Sequence, residues 1–124
     1  MLERGAGVII NVASMLGTVG VGQIPQAGYA ASKAGMINLS RELAAQWGRQ
    51  GVRVNALCPG WFPTEMTADM FADEGALKWI RRKTIFGRGG AEHELDGALL
   101  FLASDASTYV TGQALIVDGG FTAL

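Results

Sequence analysis

Apolar residues run almost unbroken through positions 7–13, Gly-Val-Ile-Ile-Asn-Val-Ala, in a stretch that is short and rich in β-branched side chains. A strand covered on both faces, as in a parallel sheet, reads this way. Gly17, Gly20, Gly22 and Pro25 then interrupt the pattern as a loop. From about Gly28 to Gly48 the period becomes helical. At about 100° per residue, Leu39, Leu43, Met36, Trp47, Ala44 and Ile37 share an arc of roughly 160°, with Asn38, Arg41, Glu42, Gln46 and Arg49 on most of the remainder. Gly51 ends that helix, residues 52–57 repeat the buried-strand pattern, and Pro59-Gly60 stops it. Two strands joined by a long helix, with no room for a hairpin, predict a right-handed parallel βαβ crossover. Helical spacing returns over 64–83 through Met66, Met70, Phe71, Leu77 and Ile80, until Gly87, Gly89 and Gly90 break it. Residues 92–103 predict another helix, with Leu95, Leu99, Leu100 and Leu102 as its apolar side. A last strand over 114–117 runs into Asp118-Gly119-Gly120. The expectation is an α/β fold of about three parallel strands with flanking helices.

Composition narrows the class. The chain has 124 residues, 49% apolar and 17% charged, which suits a packed globular fold and argues against disorder. Ten basic and eleven acidic residues give a net charge of −1, with no basic run to suggest nucleic acid. No apolar stretch approaches the roughly 18 residues of a membrane span, and the first residues lack a signal-peptide core. A lone cysteine, Cys58, and a lone histidine, His93, leave no disulfide framework and no zinc set. These features predict a cytoplasmic protein with no metal. Eighteen glycines, many lying between apolar segments, mark chain reversals and close approaches. No repeat or linker is visible, so one domain, or part of one, is expected over 1–124.

The residues that carry chemistry are few. Tyr29 and Lys33 stand four apart on the first helix and project about 40° from each other, inside its apolar arc. A cation held beside a phenol favours the phenolate. Ser14 follows the first strand, and Pro59-Gly60 follows the second. In open α/β sheets, ligands bind beyond these carboxyl ends. A hydroxyl at one strand end and a Tyr/Lys pair on the next helix make a proton-transfer site. Blander roles compete with this one. Tyr29 with Lys33 alone could be an ordinary amphipathic pair, and Ser14 a turn residue. Asn11 and Asn55 suit backbone pairing near the turns. Thr64 could cap a helix, bind a ligand, or do both. Trp61, Phe62, Met66, Met70 and Phe71 could be a lid or ordinary packing. Arg81-Arg82-Lys83 reads as a solvated face, Cys58 as a small buried residue, His93 as a surface residue and Asp118 as a turn cap.

Four blocks, Asn11-Val12-Ala13-Ser14, Tyr29-Ala30-Ala31-Ser32-Lys33, Asn55-Ala56-Leu57-Cys58-Pro59-Gly60 and Val117-Asp118-Gly119-Gly120, together resemble the short-chain dehydrogenase/reductase family, in order. The resemblance spans nearly the whole chain but only about the C-terminal half of a family member. It implies part of a doubly wound, Rossmann-type parallel sheet. It also implies NAD- or NADP-dependent hydride transfer between a secondary alcohol and a ketone. On that resemblance Tyr29 is the acid/base, Lys33 favours its phenolate and meets the nicotinamide ribose, and Ser14 orients the substrate oxygen. Pro59-Gly60 would turn under the nicotinamide ring, Phe62 would meet the carboxamide through its main chain, and Thr64 would approach the carboxamide or pyrophosphate. Trp61, Phe62, Met66 and Met70, with Phe71, would form an apolar, mobile substrate lid. A homo-oligomer, dimer or tetramer, built on the tyrosine helix and the last strand is implied as well.

The departures set the expectation for the whole. A dinucleotide site opens with a strand, a glycine-rich turn and a helix N-terminus. Gly17 to Gly22 is glycine-rich but follows the Ser14 strand and leads to Pro25. The residue that would separate NAD from NADP is absent, as are the family's Asn-Asn-Ala-Gly segment and its helix asparagine. The spacing from Ser14 to Tyr29 is slightly longer than the commonest one. A truncated chain, or a half-protein complemented by an N-terminal half and inactive alone, is therefore expected. The competing function is a non-catalytic interaction module that keeps the oligomer helices. A hydrolase using Ser14 fits poorly, because no Gly-x-Ser-x-Gly elbow is present.

Overall fold

The computed structural model describes residues 1–124. Its elements are β1 (Gly7–Val12), α1 (Ala27–Trp47), β2 (Val52–Pro59), α2 (Ala68–Ala72), α3 (Glu74–Lys83), α4 (Asp96–Ala103) and β3 (Ala114–Val117), with short turns of 3-10 helix between them. The three strands form one parallel sheet in the order β1-β2-β3. The register pairs Val12 with Leu57 and Pro59 with Val117, so all three carboxyl ends open on the same edge. The α/β architecture expected from the sequence is the one present.

β2 is central, and Val52 and residues 54–58 along it are buried. Helix α1 covers one face of the sheet. Its Ile37 packs on Ala13, Ala56 and Cys58, and its Ala44 packs on Val52 and Val54. Beyond the strand ends, Met15, Leu16, Trp61 and Ile80 form a further core under α2 and α3. The two asparagines are structural. Asn11 Nδ2 donates to Ser40 Oγ at 2.9 Å, tying β1 to α1. Asn55 is wholly buried; its Nδ2 donates to Val110 O at 2.9 Å and its Oδ1 accepts from Gln113 N at 3.0 Å. One amide thereby fixes the approach to β3. Asn55→Ala removes the amide from half-buried Val110 O, which keeps only a longer 3.4 Å bond from Arg53 Nη1, and from the Gln113 N–H, and should cost about 1–3 kcal/mol in urea unfolding. A loss below about 1 kcal/mol would mean that water replaces the amide.

Three details differ from the sequence expectation. The helical run over 64–83 is broken at Asp73, whose backbone is extended and whose Oδ1 accepts the Ala76 N–H at 2.6 Å. Asp73 thus starts α3 as an N-cap instead of continuing α2. Leu39, placed in the apolar arc of α1, is exposed. Leu102 is the buried residue of α4, with Ala98 and, in the turn before it, Leu95 half-buried on the same side, while Leu99 and Leu100 are exposed, Leu100 with 66% of its surface.

Candidate active site

The chain leaves β1 at Val12 and turns at once. Ser14, with extended backbone, caps the 3-10 turn Met15–Gly17, its Oγ accepting the Leu16 N–H at 3.1 Å. It is buried, and its hydroxyl hydrogen remains available to a further acceptor. Gly17 lets this turn lie on α1. A Cβ at that position would stand 2.8 Å from the carbonyl carbon of Lys33, 2.9 Å from the nitrogen of Ala34 and 2.9 Å from Cδ1 of Ile37. Only a residue without a side chain permits the approach.

Tyr29 lies in the first turn of α1, half-buried beside the core of Met15, Leu16, Trp61 and Ile80. Its hydroxyl has no hydrogen-bond partner in the chain. Lys33 Nζ donates to Val12 O at 3.0 Å and stands 5.6 Å from the centre of the Tyr29 ring. The carboxyl end of β1 therefore anchors the ammonium beside the phenol, which leaves two of its three N–H bonds free. At the end of β2, Gly60 N donates to Val117 O at 2.8 Å, joining the β2 and β3 termini.

Trp61 and Phe62 are buried. Trp61 stands 5.6 Å from Trp79 and 6.0 Å from Phe121, edge to face in both pairs. Such pairs add to the burial of the rings themselves. Of the remaining lid candidates, Met70 and Phe71 pack half-buried on the same core, and Met66 is 82% exposed. Thr64 caps the 3-10 turn Glu65–Thr67. Its N–H donates to Thr67 Oγ1 at 2.8 Å, and Thr67 Oγ1 donates in turn to Phe62 O at 2.6 Å. Asp118 caps the turn after β3 by accepting from Gly120 N and Thr122 N, each at 2.8 Å.

A cleft of about 650 Å³ opens at these strand ends. Ser14, Tyr29, Gly60, Trp61, Met66 and Met70 all line it. Lys33, Pro59, Phe62 and Thr64 lie outside its lining. Sequence reasoning missed three polar members, Gln26, Thr67 and Asp69. Gln26 precedes Tyr29 by three positions, and Asp69 shares the helical spacing of Met66 and Met70, so both were accessible to a periodicity argument. A hydroxyl and a phenol border one partly apolar space, with a cation beside the phenol. Such a site can orient a small oxygen-bearing molecule and exchange a proton with it.

Other titratable groups, Asp69 excepted, lie outside the lining of the cleft. Burial pushes the Cys58 thiol up, against weaker opposing effects of a backbone hydrogen bond and the Arg41 and Lys33 charges, and so keeps it neutral. Arg88 grips Glu94 with two hydrogen bonds, of 2.6 and 2.7 Å. That grip, with the Ala91 N–H, lowers the Glu94 carboxyl to about 2. His93 and Arg81-Arg82-Lys83 are exposed.

Comparison with known proteins covers nearly the whole chain. A family model described as enoyl-(acyl carrier protein) reductase matches residues 1–122. The chain is similar to gluconate 5-dehydrogenase of Gluconobacter oxydans, 44% identical over 98% of this chain and 47% of that protein. It is also similar to the L-tagatose-forming galactitol 2-dehydrogenase of Cereibacter sphaeroides, 47% identical over 98% of this chain and 48% of that one. Among solved structures, a Burkholderia cenocepacia gluconate 5-dehydrogenase in complex with NADP and tartrate superposes with a TM-score of 0.94. It is 41% identical, with 99% of this chain and 48% of that one covered. The chain spans about half the length of the curated relatives it matches.

Proposed function

Because the chain belongs to the short-chain dehydrogenase/reductase family, we propose that it supplies the catalytic and substrate-binding part of an NAD- or NADP-dependent oxidoreductase. The reaction interconverts a secondary alcohol and a ketone. The observation that carries this is the shared cleft, which Ser14 and Tyr29 line together with Gly60 at the end of β2. In oxidation, Tyr29 takes the proton of the substrate hydroxyl; in reduction it returns one to the carbonyl oxygen. Ser14 donates a hydrogen bond to that same oxygen and holds it toward the phenol. Lys33, kept in place by Val12 O, holds its ammonium 5.6 Å from the centre of the Tyr29 ring. The nicotinamide, when bound, accepts or gives the hydride.

The residues present fit one end of that cofactor. Lys33 has free donors for the ribose, and the Phe62 N–H donates to no acceptor in the chain, which suits a carboxamide. Pro59 and Gly60 would lie under the ring and Thr64 beside it. For the pyrophosphate end, the one glycine-rich connection from a strand to a helix is Gly17 to Gly22, between β1 and α1. It runs on through Pro25 before the helix starts at Ala27, and is not the tight turn onto a helix N-terminus that suits this anion. We place that half of the cofactor site outside these residues, with 1–124 forming one part of a domain. Titration calorimetry of the 124-residue chain with NAD(H) and NADP(H) should therefore show nothing tighter than about millimolar. Oxidation of secondary alcohols should appear only when a cofactor-binding half is supplied. Micromolar binding to the chain alone would overturn this division of labour.

Relatives named for gluconate and for galactitol support a small hydroxylated substrate. A second role is favoured by the exposed Leu39 on α1 and Leu99, Leu100 and Phe101 on α4. These apolar side chains suit contacts between copies, as in a dimer or tetramer, or with a complementing half. If association persists while no cofactor site can be assembled, the chain is an interaction module instead.

A further inference from the structure

The lining of the cleft has an unequal distribution of charge. Asp69, on the first turn of α2, is its only charged member, and no lysine, arginine or histidine borders it. The carboxylate of Asp69 has no ion-pair partner, since the chain's one ion pair joins Arg88 to Glu94, and it accepts no hydrogen bond. The nearby cations are placed elsewhere. Lys33 is held on Val12 O outside the lining, and Arg81, Arg82 and Lys83 occupy the last turn of α3 in solvent. Gln26, on the rim before α1, leaves its side-chain amide free, with both a donor and an acceptor to offer. Thr67, by contrast, is committed to Phe62 O and Thr64 N. The rest of the wall is chiefly the apolar bodies of Leu16, Ile24, Trp61, Met66 and Met70.

We propose that Asp69 is a specificity-determining residue that makes this cleft take neutral polyhydroxylated alcohols and ketones in preference to carboxylates. The proposal rests on the dehydrogenase assignment above and adds the class of substrate. A neutral polyol can donate to Asp69, exchange hydrogen bonds with Gln26 and lay its carbon chain along the apolar wall. A carboxylate reaching the same end meets a like charge with no cation to offset it. Discrimination of this kind comes from the repulsive element as much as from the attractive one. Asp69 is exposed, so the repulsion is moderate and salt must weaken it.

The test compares D-glucitol with D-gluconate, which share a carbon skeleton and differ in the terminal charge. Each is titrated into the chain complemented by its cofactor-binding half and oxidised NAD or NADP, at low and at high salt, for the wild type and for Asp69→Asn. Binding is read from tryptophan fluorescence, because Trp61 lines the cleft. At low salt glucitol should bind about tenfold more tightly than gluconate, and added salt should narrow the gap. Asp69→Asn should remove most of the gap by strengthening gluconate binding, and should abolish its dependence on salt. Equal or tighter binding of gluconate to the wild type overturns the proposal. So does binding of neither compound, or a ratio unchanged in Asp69→Asn. Turnover separates the two inferences. The expected binding order without oxidation of glucitol would overturn the dehydrogenase assignment and leave the selectivity standing. Oxidation of gluconate in preference to glucitol would do the reverse.

Discussion

Tyr29→Phe lowers turnover of the complemented protein by about 10²- to 10⁴-fold, with substrate affinity nearly unchanged. The substitution removes one oxygen and keeps the ring that packs beside Leu16 and Trp61. Because the tyrosine hydroxyl has no hydrogen-bond partner in the chain, its loss orphans no buried group, and the melting temperature should stay within about a degree or two of the wild type. Measuring kcat, KM and thermal unfolding on the same preparation separates catalysis from stability. If more than about a tenth of the activity survives, another group moves the proton, since loss of a positioned acid/base costs at least two orders of magnitude. Ser14→Ala is less clean, because the same oxygen accepts the Leu16 N–H and shapes the turn.

Gly17→Ala carries the second large effect, and it acts at a distance from any proton. Two of the three atoms that a methyl group would strike are backbone atoms of α1, at Lys33 and Ala34. Neither can rotate aside, so the turn must lift from the helix. The expected costs are about 1–3 kcal/mol of stability for the overpacking, and roughly 10²-fold in turnover for displacing Ser14 relative to Tyr29. Urea unfolding and kcat measure the two. Gly35→Ala is the matched control, because a Cβ at Gly35 meets nothing within 4 Å. It should leave turnover alone and stabilise the helix by up to about 1 kcal/mol. If Gly17→Ala matches this control, the turn does not position Ser14.

Much of this was legible in the sequence because β1, α1 and β2 have strong, sustained periods and are separated by glycine and proline. Parallel pairing followed from the length of the crossover, and the location of Ser14 followed from where the first apolar run stops. Other features depended on tertiary context. Periodicity over 64–83 continues through Asp73, and only the competition between capping and propagation ends the helix there. Leu39, Leu99 and Leu100 are apolar but exposed, because an arc of apolar residues does not say which part of it a neighbour covers. Trp61 and Phe62 look like lid residues by composition, and both are buried, Trp61 against Trp79 and Phe121. The bond from Lys33 to Val12 O joins residues 21 positions apart, beyond the reach of any local pattern.

The buried amide of Asn55 has a consequence for the order of assembly. β3 must find β2 across a separation of 58 positions between Asn55 and Gln113, and closing so long a loop costs entropy before any strand contact returns it. Asn55, already held in the central strand, offers a donor and an acceptor to residues 110–113 just ahead of β3, and a frame-shifted docking would leave both unmatched inside the core. A single side chain thus proofreads the late closure of the sheet, and only a correctly docked third strand brings Val117 O to Gly60 and completes the floor of the cleft.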